Sequence, residues 1–192
     1  MFARRLRECV GAPRQPRDRR LVQSVNYNGR MLALRYAALL MLVIWIGGLA
    51  VLGGVAAPAI FDVLSTREAA DGRLLAGAVF GETLRRFHLI TYAAGGLLLL
   101  TLVLRRILGP RPKRFAWRLA IALLMLVATI SSGWFVSGRI ARLQQTIGVA
   151  PSHLPAEDPR RLQFERLHML STALQLVPLL GGLALIYWEL KE

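Results

Sequence analysis

Two short stretches of this chain carry the residue types best suited to chemistry, and they are near-copies of each other. Arg86-Phe87-His88-Leu89-Ile90-Thr91 and Arg166-Leu167-His168-Met169-Leu170-Ser171 stand eighty positions apart. In each, a histidine opens an apolar run and a hydroxyl residue follows one helical turn later. A neutral imidazole can ligate haem iron or a transition metal, relay a proton, or hydrogen-bond between helices. On a helix, His168, Ser171, Thr172 and Gln175 fall at i, i+3, i+4 and i+7 and share one face. His88, Thr91, Tyr92 and Gly95 follow the same spacing.

The elements that position these residues are legible in the composition. Of 192 residues, 55% are hydrophobic and only 19% are charged, too apolar for an ordinary soluble domain. Four blocks contain no Asp, Glu, Lys or Arg: Tyr36 to Phe61, Phe87 to Leu104, Leu119 to Gly138 and Leu167 to Trp188. A helix needs about 20 apolar residues to cross a bilayer core. In lipid such a run satisfies its own backbone only as a helix, because it lacks the alternation of a barrel strand. The fold expected is an all-α integral membrane protein, a four-helix bundle with spans at about 36–58, 85–104, 118–138 and 167–188. The near-copies suggest two duplicated helical hairpins in parallel orientation, with Gly53 over Gly133 as a further pairing.

Basic residues set the expected topology. The middle loop, Arg105 to Arg118, has six basic residues in 14 and no acid, against four in 25 for Asp62 to Arg86 and five in 28 for Arg139 to Arg166. Basic density marks the cytoplasmic side, so both termini are expected there and the two longer loops outside. The dominance of arginine over lysine suggests a GC-rich bacterial genome, hence an inner membrane. Residues 1–33 read as a basic, disordered tail, with Met31 as an alternative start of translation. They are not a secretory signal, since the apolar run that follows is too long and lacks a small-residue cleavage site. The domain proper is expected over 34–190.

Further features fill in the bundle. Gly47, Ala50, Gly54 and Ala57 lie on one face of the first span, where small residues let a neighbouring helix approach, and Pro58 bends or ends that helix. Val63 to Arg86 reads as an interfacial helix leading into the second span. Gly148 and three prolines break the outer loop after the third span, and Pro178 with Gly181-Gly182 implies a kink in the fourth. Tyr187 and Trp188 form an aromatic anchor.

With this topology both histidines lie near the outer face at one depth. Ser131 and Ser132 of the third helix reach a comparable level, and Asp62 ends the first. Polar side chains in a span face the bundle interior because facing lipid is costly. The expected site is therefore an outer polar pocket of His88, Thr91, Tyr92, Ser132, His168, Ser171, Thr172, Gln175 and Asp62. Three uses stay open. His88 and His168 together could bind haem or a transition metal. His168 with Glu165, or His88 with Glu82, could relay protons or hold a small solute. The same residues could simply hold the bundle together. His153, in a proline-rich loop, reads as ordinary surface.

Several classes are excluded or disfavoured. There is no Gly-x-Ser-x-Gly elbow, phosphate loop or His-Glu-x-x-His, so no catalytic residue is assigned. Two ligands make a poor closed zinc site, which takes four. The lone Cys9 excludes an intramolecular disulfide framework. The formal charge of +14 is explained by topology rather than by nucleic acid, which is not expected as a partner. The partners expected are the lipid bilayer, further copies of the chain and other membrane proteins.

Three segments together resemble one family. They are Trp45-Ile46-Gly47-Gly48 running into Ala57-Pro58-Ala59-Ile60-Phe61, Ala76-Gly77-Ala78-Val79-Phe80-Gly81, and Leu167-His168 with Ser171. They resemble the transmembrane protein 205-like family, known in bacteria as a domain of unknown function, over roughly Leu34 to Trp188. The resemblance implies four membrane helices and no settled activity for bacterial members; the eukaryotic relatives are linked with resistance to a platinum drug. The implied fold is also similar to that of copper-resistance membrane proteins and a haem-pathway membrane oxidase. Five methionines and three histidines are fewer than copper transport would want. The reading adopted is a non-enzymatic membrane protein, structural or small-solute-handling, without a cofactor. The alternative is a haem- or metal-binding redox component.

Overall fold

A computed structural model describes residues 16–67, 71–109 and 114–191, with side chains from Gly29 onward. The described residues are helical throughout apart from turns and short loops. Helix α1 spans Pro16–Val51 and passes through one π-helical turn, Leu52–Ala56, into α2, Ala57–Arg67. Helix α3 covers Gly72–Leu108 and α4 covers Phe115–Ile130. A second π-helical turn, Ser131–Val136, joins α4 to α5, Ser137–Ile147. A 3₁₀ turn at Pro151–His153 precedes α6, Pro159–Leu190. Joined through their π turns, these elements make four helices long and apolar enough to cross a membrane: Gly29–Arg67, Gly72–Leu108, Phe115–Ile147 and Pro159–Leu190. The chain is a multi-pass, all-α membrane protein built as a four-helix bundle.

The first helix reaches back to Pro16, within the stretch expected as a basic tail; residues 1–15 lie outside the described residues. The expected interfacial helix is likewise divided. Val63 to Arg67 finish α2, and Gly72 onward is continuous with the second span. Gly148 ends α5 in the left-handed conformation, φ 71°, with its N–H on the Gln144 carbonyl, where the absence of a Cβ makes that geometry inexpensive. Asp158 caps α6 by accepting from the Arg160 N–H, with Pro159 in the first turn. Helix α6 then runs unbroken through Pro178.

The helices form a ring in which α1 packs on α3 and α6, and α4 packs on α3 and α6. Exchanging α1 with α4 and α3 with α6 maps the ring onto itself. The core is Ala38, Leu42, Trp45 and Ile46 of α1, Leu98 and Leu102 of α3, Phe115, Ala122 and Met125 of α4, and Leu185 of α6. Burial repeats at the eighty-residue offset: Ala38 with Arg118, Leu42 with Ala122, Trp45 with Met125, Thr91 with Ser171, and Leu102 with Gly182 are buried in both halves. The two π turns fall at equivalent places as well.

Among the described residues, most of the small-residue face of the first span has no neighbour within the chain, while Ala57 is half-buried. A Cβ at Gly47 or Gly54 would meet nothing within 4 Å, and Ala50 and Pro58 are exposed. Ala38, Leu42 and Trp45 turn the inward stripe of α1 away from that face. The close approach falls one residue on, where Gly48 sits against the Phe87 ring, and at Gly182 against Ile46.

Candidate functional site

At the end where α4 begins and α3 and α6 finish, level with Arg35 in the middle of α1, a charged cluster closes the bundle. Glu189, 3% exposed, accepts from Arg105 Nη1 at 2.6 Å and from Arg118 Nη1 at 2.7 Å, both on Oε1. Arg118 Nη2 donates to the Trp188 carbonyl at 3.0 Å, and Arg35 Nη2 to the Glu189 carbonyl at 2.7 Å. All four helices meet here. The sequence reading took these arginines only as topology signals and missed the clamp. The signal was there: Glu189 is the lone acid directly after the last uncharged block, level with the ends of two other blocks at Arg105 and Arg118.

At the opposite half, helix α3 carries His88 and Thr91 inward, and the π turn after α4 brings Ser132 to meet them. A π turn leaves i to i−5 bonds in place of i to i−4 and is frequent at functional sites. Here the Ser137 N–H bonds to the Ser132 carbonyl, and the Ser137 hydroxyl donates to the same oxygen at 2.9 Å. The Ser132 hydroxyl lies 3.4 Å from that of Ser171 on α6. His88 stacks on Tyr92, ring centroids 6.0 Å apart and planes 10° apart. Gly133 lets both rings in: a Cβ there would collide with the Tyr92 hydroxyl and stand 2.9 Å from His88 Nδ1.

These groups enclose a cavity of about 10 Å³, room for about one water molecule. Trp45, Phe87, His88, Thr91, Thr129, Ser132, Gln175 and Pro178 are among its walls. Two side-chain atoms of its lining residues, His88 Nδ1 and Trp45 Nε1, are buried without a hydrogen-bond partner among the described residues. A buried polar atom left unsatisfied costs about 1–3 kcal/mol. The hydroxyls of Thr91 and Thr129 are already engaged, donating to the carbonyls of His88 at 2.9 Å and Met125 at 2.8 Å. Sequence reasoning passed over Trp45. Its clue is position, since tryptophan in spans favours the interface and this one stands mid-span.

His168 belongs to a different place. It is exposed, stacks on Phe164 at 6.1 Å, and lines a groove of about 580 Å³ with Asp62, Ser65, Thr66, Arg73, Gln144 and Ser152. The nine residues expected in one pocket therefore divide. His88, Thr91, Ser132 and Gln175 line the small cavity, Ser171 adjoins it through Ser132, and Tyr92 packs behind His88. His168 and Asp62 line the groove, and Thr172 is exposed with its hydroxyl on the His168 carbonyl. The two imidazoles, expected as a pair to ligate haem or a metal, line separate cavities. Among the described residues no group of three His, Cys, Asp or Glu side chains gathers as metal ligands would.

The expected acid partners of the histidines are also committed elsewhere. Glu82 accepts from Arg85 at 2.7 Å and Arg86 at 2.8 Å, and Glu165 accepts from Arg161 at 2.9 Å. A guanidinium offers a charged fork that a neutral imidazole cannot match. His153 sits exposed in the 3₁₀ turn.

The sequence matches the family described as "Domain of unknown function (DUF4149)" over residues 40–148, more than half of the chain. The chain belongs to this family. The match runs from α1 through α5 and so takes in Trp45, His88, Thr91 and Ser132; it stops before α6, which supplies Ser171 and Gln175. No curated protein and no solved structure matches the chain.

Proposed function

We propose that this member of the DUF4149 family is a non-enzymatic membrane protein that handles a small polar solute in the half of the bundle around His88. The observation carrying this reading is the pair of buried, unpartnered groups, His88 Nδ1 and Trp45 Nε1, beside a cavity of about 10 Å³. A pure packing role would favour apolar side chains there, because polar atoms left unsatisfied in a bilayer are costly. The π turn at Ser131–Val136 holds Ser132 beside the same space. Haem is a poor fit, since the cavity is far too small and His168 lines another one.

The placement in the membrane is part of this reading. Basic density in the α3–α4 loop supports cytoplasmic termini in a bacterial inner membrane and puts the His88 cavity in the outer half. Residues 34–190 form the membrane domain, preceded by a basic tail. The segments around Trp45, Ala57-Pro58 and Ala76-Gly77 support the narrower kinship with transmembrane protein 205-like proteins.

The test is solute flux through proteoliposomes under an osmotic step, with water, urea and glycerol as probes. Protein should raise the rate for at least one probe, and Gly133→Val, which fills the space beside His88, should remove the increment. Rates equal to protein-free vesicles for all three would overturn the proposal and leave His88 as a packing residue. An absorption spectrum on the same preparation should be free of a Soret band.

A further inference from the structure

The groove beside His168 is a second, larger space with its own chemistry. Its volume of about 580 Å³ lies within the range of ligand sites, about 300–1,000 Å³. Two unlike charges line it, Asp62 from α2 and Arg73 from the first turn of α3. Among the described residues neither carries a salt bridge or a side-chain hydrogen bond to a protein partner, whereas Glu82, Asp158 and Glu165 elsewhere on the helices are each paired with arginine, as Asp71 and Glu157 are not. Ser65, Gln144 and His168 add donors and acceptors, and Phe61 and Phe164 supply apolar wall.

The groove also has a defined depth. Asp62 directly follows the first charge-free block and His168 stands at the start of the last, so the groove sits where the helices leave the hydrocarbon core. Deeper along the same helices the surface is apolar: Val51 and Val55 precede α2, and Met169, Leu170 and Leu176 on α6 are all exposed. A carboxylate at this level lies among the lipid headgroups, within reach of a headgroup cation.

We infer that the groove binds the headgroup of a zwitterionic phospholipid bearing a primary amine. The lipid phosphate pairs with the Arg73 guanidinium, and its ammonium donates to the Asp62 carboxylate. An anionic headgroup would satisfy Arg73 and leave Asp62 facing like charge. A trimethylammonium headgroup would bring the cation without an N–H donor. This site is separate from the His88 cavity, and its success or failure is independent of solute flux there.

The experiment is native mass spectrometry of the full chain released from mixed nanodiscs of phosphatidylethanolamine, phosphatidylglycerol and phosphatidylcholine in equal parts. Phosphatidylethanolamine should be retained in preference to the other two. Loss of one charge-assisted hydrogen bond is worth roughly tenfold in affinity, so Asp62→Asn should cut its retention by about that factor while phosphatidylglycerol holds or rises. Arg73→Gln should lower retention of all three. Both residues are exposed, and an unchanged gel-filtration profile with unchanged melting confirms that the variants fold. Equal retention of the three lipids by the wild-type chain would overturn the inference, as would folded variants that retain lipid as before. Displacement of the bound lipid by millimolar free phosphoethanolamine would also overturn it, in favour of a soluble zwitterion.

Discussion

His88 and His168 hold equivalent positions in the two hairpins, yet one is buried and the other exposed. The difference lies in what the partner helix does at its π turn. In the first case the turn at Ser131–Val136 keeps Gly133 against the His88 and Tyr92 rings. In the second, Gly53 lies in the equivalent turn, and a Cβ there would meet nothing within 4 Å. Beyond its π turn the first span leans on α3 rather than on α6, and the groove opens beside His168. One set of local sequence rules thus gives a buried histidine beside a water-sized cavity on one side and an open groove on the other. The asymmetry comes from helix placement, since the two histidine segments are themselves so alike.

Four perturbations break or sharpen this contrast. The largest effect should come from Glu189→Ala, which removes the carboxylate shared by Arg105 and Arg118 and affects both halves equally. Breaking a buried ion pair by deleting one partner costs about 3–5 kcal/mol, so the thermal unfolding midpoint in detergent should collapse. Next is the glycine pair. Gly133→Ala drives a methyl into His88 and Tyr92, an overpacking that costs about 1–3 kcal/mol. Gly53→Ala meets open space, and helical Ala is favoured over Gly by about 0.5–1 kcal/mol. Opposite signs for the two substitutions in a melting assay are the expected outcome.

The histidines themselves come third. His88→Ala empties a buried site and should destabilise by about 1–3 kcal/mol, while His168→Ala at the surface should stay within about 0.5 kcal/mol. The smallest effect is at the Asp158 cap, outside the span. The Arg160 guanidinium beside it holds the Asp158 carboxyl below its usual pKa. A depressed folded-state pKa means stability that is full above the unfolded value and lost as pH falls through the folded one. Wild type and Asp158→Asn should therefore differ slightly in melting near pH 7, and the difference should shrink as pH falls below the ordinary carboxylate range and through the lowered folded-state pKa.

The bundle was legible because its signal is long. Four charge-free blocks of bilayer length leave the backbone no alternative to helix, and Gly148 with the nearby prolines marks the break between α5 and α6 plainly. The near-copy at His88 and His168 pointed correctly to equivalent helix positions, and the buried pairs at the same offset extend it. The single shared pocket was not legible. Spacing along one helix fixes a face but not how far a neighbouring helix leans away, and that lean separates His168 and Asp62 from His88. The stripe of Gly47, Ala50 and Gly54 faces away from the chain's own core for a related reason, because Trp45 and Leu42 decide which side of α1 turns inward. The Glu189 clamp needed three dimensions, since Arg105 and Arg118 reach it from 84 and 71 residues away in the chain.

The most direct test of the two unlike halves uses the wild-type chain, which holds only three histidines. The protein in vesicles is treated briefly with diethylpyrocarbonate, and modification of His88, His153 and His168 is followed by peptide mass spectrometry. His153 and His168 should react at comparable rates and His88 far more slowly. Modification of His88 as fast as His168 would contradict the burial of His88, and with it the distinction between the two hairpins.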